Sequence, residues 1–393
     1  MHGKYLNRKL HKDIVDYLGA FPIVAILGAR QVGKSTLAKM ISLEFDNYLY
    51  LDLEKPSDFR KLSEPEIFFE AHSDKLVCLD EIQRVPDLFS VLRGVVDQND
   101  RNGQFLILGS ASRDLIRQSS ETLAGRIIYL ELTPFLFSEV MGVDSEKGEL
   151  MRKYWLRGGF PRSFLARDEK FSFVWRENFI SAFLERDIPQ FDFNIPAKTL
   201  HRLWKMCAHN HGQLLNSSKL GEAIGVSHTT IRSYIDLLSQ TFMLRVLFPL
   251  ETNVKKRLVK SPKVYIRNCG ILHALLEIKT FDDLLGHPVY GLSWEGMAME
   301  NIITELSDWN FAFYRTSAGA EMDLVMMKGR RRVGVEFKAS FSPQVSRGFW
   351  NAIDDLELEE VWIISPVAEQ YSIRKGVKVA PLDYFISTIE RKL

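Results

Sequence analysis

The chain has 393 residues, more than one compact core normally carries, so two to four domains are expected. Its 46% hydrophobic and 26% charged residues are ordinary for a globular protein, and 51 basic residues almost balance 50 acidic ones; a strong overall field for holding nucleic acid is excluded, and any such site has to be a local patch. No apolar run approaches the roughly 18 residues that span a bilayer, and the opening MHGKYLNRKL lacks a signal-like apolar stretch, so a cytoplasmic protein without membrane contact is expected.

The first informative element is the apolar run from Ile23 to Leu27, which enters the loop GARQVGKST and leaves as a helix. Gly28 and Gly33 let the backbone curl so that successive N–H groups point inward, as a phosphate cradle requires. Lys34 can reach the β- and γ-phosphates and the Ser35 hydroxyl can ligate Mg²⁺, with Gln31 and Thr36 completing the expected ATP contacts. YLYLDLE, 48–54, reads as a further strand. KLVCLDE, 75–81, is another, ending in Asp80, which would hold Mg²⁺ through water, and Glu81, which would orient and deprotonate the attacking water. QFLILGSAS, 104–112, ends in Ser110, either a hydroxyl aimed at the γ-phosphate or the N-cap of the next helix. With RIIYLEL, 126–132, these strands alternate with helical patterns and predict a mainly parallel, doubly wound α/β sheet carrying its site at the strand C-termini. Cys78, Cys207 and Cys269 are far apart and lack zinc spacing, so they read as free thiols.

GARQVGKST, LVCLDE, LILGSAS and LAGR at 123–126 together resemble the AAA-type ATPases of bacteria and archaea that carry a C-terminal domain of unknown function. The resemblance implies a P-loop ATPase core over 1–135, a helical lid over 136–195, a sensor role for Ser110 and a γ-phosphate contact from Arg126 to a neighbouring subunit. That contact needs a homo-oligomer; a structural salt bridge is the other reading of Arg126. Gly159-Phe160-Pro161 resembles the Gly-x-Pro signature with which AAA-related signalling NTPases close a lid over the base, placing Pro161 at the nucleotide, although a helix-breaking turn has the same pattern.

Farther along, 217–238 reads as helix, a turn at Gly225, and a second helix presenting His228, Thr229, Arg232 and Ser233: a helix-turn-helix within an expected winged-helix module over 196–270. NVKKRLVKSPK supplies Lys255, Lys256, Arg257, Lys260 and Lys263, a basic wing suited to the phosphate backbone of DNA or to a protein contact. His201, His209 and His211 have no carboxylate or cysteine at ligand spacing and read as ordinary histidines.

From 285 to 393 the order of patterns is helix, three strands, helix, strand, which resembles the core of the PD-(D/E)xK restriction-endonuclease-like superfamily. Glu336 and Lys338, two apart on a strand, share a face, and the short KGRRR turn lets Asp323 on the antiparallel partner join them. In that reading Asp323 and Glu336 hold Mg²⁺ and Lys338 orients a water, while the resemblance implies Glu295 as a further acidic ligand. A hairpin with one wet face shows the same alternation, the motif's opening proline is missing, and Asn268 stands where the family leads one to expect aspartate.

Overall fold

The computed structural model describes residues 5–109, 122–142, 146–191, 195–251 and 257–391, so Ser110, Lys255 and Lys256 lie outside the described residues. The chain forms two compact units, Met1–Gly142 with Gln240–Phe242, and Val143–Ser239 with Met243–Leu393.

In the first unit five strands, β1 (Ile23–Leu27), β2 (Tyr48–Asp52), β3 (Leu76–Asp80), β4 (Phe105–Gly109) and β5 (Ile127–Glu131), form one sheet in the order β2-β3-β4-β1-β5. Every pairing is parallel, with Ile23 opposite both Phe105 and Ile127, and Asp52 opposite Asp80. The central strands β1, β3 and β4 are buried at every position, as expected where helices cover both faces of a parallel sheet. Leu79, Ile107 and Phe105 lead the cluster on one face, with Phe69, Leu92 and Val96 from the covering helices. Because the strands run in one direction, the loop after β1 and the carboxylate ending β3 emerge at the same sheet edge.

The second unit takes in the expected lid from 143 on, the module expected over 196–270 except Gln240–Phe242, and the C-terminal module from 285, as a single compact body. One cause is the close seating of the helix Cys269–Leu275: a Cβ at Gly270 would lie 2.0 Å from the Arg157 carbonyl, so only glycine permits the approach. The buried Arg176 guanidinium joins these segments by donating to the carbonyls of Leu156 and Gly270, each at 3.0 Å. Asn268 has a structural task here, its Oδ1 capping that helix by accepting from the Ile271 N–H.

The helices Ser217–Ile224 and His228–Gln240 are joined through Gly225, which is left-handed at φ +82°, and Ser227 accepts from the Thr230 N–H to cap the second. Strands β6 (Gln213–Leu214), β7 (Leu244–Leu247) and β8 (Lys263–Ile266) form a small antiparallel sheet in the order β6-β8-β7.

Beyond it, helix Tyr290–Glu305, β9 (Asn310–Arg315), β10 (Glu321–Lys328), β11 (Arg331–Phe337), helix Arg347–Leu356 and β12 (Glu360–Ile364) follow the order read from the sequence. Two short strands, β13 (Tyr371–Arg374) and β14 (Val377–Ala380), extend this into a six-stranded mixed sheet, β13-β14-β12-β11-β10-β9. The antiparallel β10–β11 hairpin pairs Leu324 with Val335, which brings Asp323 and Glu336 level with each other.

Candidate functional site

The loop between β1 and the helix Lys34–Ser42 is held open by backbone geometry. Gly33 has φ +102°, a conformation L side chains rarely adopt, and Gln31 has φ +64°. Gly28 is needed for space, since a Cβ there would stand 2.3 Å from the Leu132 carbonyl. The Lys34 ammonium, 6% exposed, donates to the carbonyls of Gly28 at 2.9 Å and Ala29 at 3.0 Å. It is thereby held at the centre of the loop, where phosphate oxygens would meet it.

Arg8, which the sequence reading passed over, braces the same loop. Its buried guanidinium donates to the carbonyls of Val32 at 3.0 Å and Thr133 at 2.6 Å and pairs with Glu139 at 3.1 Å.

Asp80 is 5% exposed at the end of β3. Its Oδ2 accepts from the Tyr50 hydroxyl, while its Oδ1 has no hydrogen-bond partner among the described residues. The Ser35 hydroxyl is close enough to Tyr50 to favour its ionised form slightly, against the larger effect of burial. Burial, reinforced by Asp80, raises the Tyr50 hydroxyl well above its ordinary pKa and keeps it a donor. A buried carboxylate oxygen left open beside a loop serine suits a hydrated Mg²⁺, and Ser35 and Asp80 therefore fit that ion. Glu81, next along, is left-handed at φ +61° and accepts from the Gln83 side-chain amide.

Arg126 immediately precedes β5, and its guanidinium grips Asp97 through Nε at 2.5 Å and Nη2 at 3.1 Å. Since Ile23 pairs with Ile127, Arg126 lies at the strand N-termini, the edge opposite the phosphate loop. A five-residue strand separates the edges by about 16 Å, so Arg126 stands at the far end of the sheet from the loop of its own chain. Pro161 belongs to the second unit, where it occupies the first turn of the short helix Pro161–Phe164 and Phe160 packs on Phe179 with centroids 4.7 Å apart.

Within the second unit, Glu295, Asp323, Glu336 and Lys338 line one polar pocket of about 600 Å³, together with Lys263, Arg315, Glu321 and Ser346. Phe337 N–H donates to Asp323 Oδ2 at 3.1 Å, and Lys338 Nζ donates to Glu336 Oε1 at 2.8 Å, while Glu336 Oε2 has no partner among the described residues. Tyr265 donates to Glu295 at 2.6 Å.

Lys263 is not the exposed wing residue expected from its neighbours. It is 3% exposed, and its ammonium lies 3.0 Å from Glu321, 3.7 Å from Asp323 and 3.8 Å from Glu295. Residues two apart on β8 share a face, so Lys263 and Tyr265 both turn toward the acidic pocket, whereas Arg257 and Lys260 are exposed.

Burial and then Asp323 push the Glu295 carboxyl up to about 7, against Lys263 and Tyr265. Burial and Asp323 likewise hold Glu336 well above the carboxylate range, and Lys338 is raised despite its own burial because Glu336 faces it. Among the described residues no group of three or more His, Cys, Asp or Glu is placed to hold a metal ion. The three expected carboxylates share a pocket with two lysines, Lys263 against Glu295 and Asp323 and Lys338 against Glu336.

Comparison with known proteins agrees with the geometry of the first unit. Residues 20–141 match the family described as an AAA domain, and 148–282 and 290–385 match two families described as domains of unknown function, DUF8612 and DUF4143. An uncharacterized protein of Mycobacterium tuberculosis is 38% identical over 98% of this chain and 83% of its own length. An uncharacterized protein of Methanocaldococcus jannaschii is 21% identical over 90% of this chain and 83% of its own. Among solved structures, a Walker-type ATPase of Pyrococcus abyssi is similar in fold, with a TM-score of 0.51 at 15% identity over 70% of this chain and 97% of that one. No helix among the described residues is long and apolar enough to cross a membrane.

Proposed function

The chain belongs to the same family as the Mycobacterium tuberculosis protein and carries an AAA domain followed by two domains of unknown function, and on that premise we propose that it binds and hydrolyses ATP and couples its nucleotide state to the C-terminal module. The observation that carries this reading is the open Oδ1 of Asp80 at the sheet edge of the phosphate loop.

In this reading the loop N–H groups of 28–34 cradle the phosphates and Lys34 exchanges its carbonyl partners for β- and γ-phosphate oxygens. Ser35 and, through water, Asp80 would hold Mg²⁺, which would supply positive charge against the phosphates. Glu81 takes the proton of the attacking water. Ser110 is the proposed γ-phosphate sensor, and Arg126 acts only across a homo-oligomer, after leaving Asp97. The test is calorimetric titration with a non-hydrolysable ATP analogue and Mg²⁺, alongside phosphate release from ATP. Micromolar binding with turnover supports the reading, and no binding at millimolar analogue overturns it.

For the C-terminal module two readings have an observation each. A DNA-binding or nuclease-like role is supported by Asp323, Glu336 and Lys338 facing one pocket, with Arg257 and Lys260 exposed in the basic segment. A non-cleaving role in contact with protein partners is supported by Lys263, whose ammonium lies against Asp323 and Glu295, two of the three carboxylates that a nuclease would offer to metal. We favour the second, because a buried ammonium already paired with carboxylates opposes entry of a second cation. Cleavage of single-stranded, double-stranded and branched DNA in Mg²⁺ or Mn²⁺ decides between them: activity present in the wild type and lost in Lys338→Ala establishes the nuclease. DNA-stimulated ATP turnover without cleavage establishes DNA binding alone.

A further inference from the structure

We propose that Tyr50 is a positioning residue of the ATP site: its hydroxyl fixes one oxygen of the Asp80 carboxylate so that the other is presented, with Ser35, to the nucleotide-bound cation. The proposal rests on the reading of the loop as an ATP site.

A terminal carboxylate rotates through a broad range, and only a bond to one oxygen defines where the other points. Here Oδ2 is taken by Tyr50 and Oδ1 is left without a partner, although the side chain is 95% buried by its 5% exposure. A buried acceptor without a donor is costly unless something supplies its partner, and a hydrated divalent ion does so.

Tyr50 reaches this place because of the sheet register. β2 pairs in parallel with β3, Tyr50 opposite Cys78 and Asp52 opposite Asp80, so the phenol starts two residues short of the site and its length carries the hydroxyl to it. The ring is steadied by the Lys39 ammonium, 5.0 Å from its centroid and borne on the helix that begins at Lys34. A second polar neighbour, Ser35, is the second residue of the same helix. One hydroxyl of β2 thus fixes the carboxylate that ends β3, beside the helix that follows the phosphate loop.

Tyr50→Phe removes that hydroxyl and keeps the ring. The experiment titrates wild type, Tyr50→Phe and Asp80→Asn with a non-hydrolysable ATP analogue, with EDTA and with saturating Mg²⁺, and follows nucleotide-dependent Mn²⁺ uptake by electron paramagnetic resonance. The expected result is a metal-free affinity for the analogue within about twofold of wild type, with the metal-dependent gain reduced by about tenfold, as for loss of a charge-assisted hydrogen bond. Turnover of Tyr50→Phe should recover as Mg²⁺ is raised. Wild-type metal dependence in Tyr50→Phe overturns the proposal, as does an equal loss of affinity with and without metal, which would mark a merely structural tyrosine. Failure of the wild type to bind the analogue overturns the ATP reading itself, a result separate from either.

Discussion

The ammonium of Lys263 stands 3.7 Å from Oδ1 of Asp323, joining a residue of the basic segment to a carboxylate of the C-terminal pocket. The two are 60 positions apart in sequence, and both are almost wholly removed from water, at 3% and 8% exposure. In such surroundings each charge depends on the other, because a buried ion without a counter-ion costs several kcal/mol.

Replacing Lys263 by methionine should therefore destabilise the second unit by about 3–5 kcal/mol, the range found when one partner of a buried pair is removed. Adding Asp323→Asn to Lys263→Met should restore part of the loss. Urea denaturation of the single and double variants reads this directly, and a Lys263→Met protein as stable as wild type would show that the cluster does not hold the pocket.

At the nucleotide site, Lys34→Ala should weaken ATP binding, whereas Glu81→Gln should retain binding and lower turnover by about 10²- to 10⁴-fold, the usual contribution of a positioned base. Single-turnover phosphate release separates the two effects. Normal turnover in Glu81→Gln would reassign the base.

Gly28→Ala should cost nucleotide affinity for a steric reason, with its Cβ arriving 2.3 Å from the Leu132 carbonyl. Loop and β5 have to part, at about 1–3 kcal/mol for an overpacked position. Because Leu132 N–H donates to Leu27 at 2.7 Å, amide exchange should quicken there. Unchanged exchange and affinity would mean that the loop accommodates the methyl group.

Two buried histidines should withdraw stability from the second unit as pH falls below about 6.5. Burial lowers both His211 and His273 to about 3, and each is fitted to its neutral form: His211 Nδ1 accepts from the Ile266 N–H, and His273 lies between the Leu156 carbonyl and the Ser293 hydroxyl. At these two groups, between pH 3 and 6.5, the unfolded chain binds more protons than the folded one, so their contribution to stability falls as pH falls, approaching roughly 1.4 kcal/mol per pH unit for each histidine. Glu295 and Glu336, raised by burial, take up protons in the fold over part of the same range and oppose this slope. Denaturation midpoints at pH 7, 6 and 5 should therefore be compared with those of a His211→Gln, His273→Gln protein: the wild type should lose more stability in acid, and equal slopes would show that these histidines are protonated in the fold.

Where the proposed site is one continuous stretch, the sequence carries its whole pattern. GARQVGKST carries its own glycines, lysine and serine, and the apolar runs ending in Asp80 and Gly109 became parallel strands with the ends they required. The β10–β11 hairpin was legible for the same reason, since alternation and a short turn define which side chains share a face. Tyr50 was missed because it looks like any aromatic residue of a strand, and nothing nearby in sequence names Asp80 as its partner. Lys263 was misplaced because four basic neighbours made it look like surface.

The chain by itself determined its local chemistry: which residues can cradle phosphate, which strands are buried on both faces, and which carboxylates alternate onto one side. Those follow from backbone conformation and side-chain period over a few residues. Only the tertiary structure decided which charges meet, placing Tyr50 on Asp80, Arg126 on Asp97 and Lys263 among Glu295, Glu321 and Asp323. The physical reason is that Coulomb and hydrogen-bond energies depend on distance and burial, which sheet register and helix packing set between residues far apart along the chain.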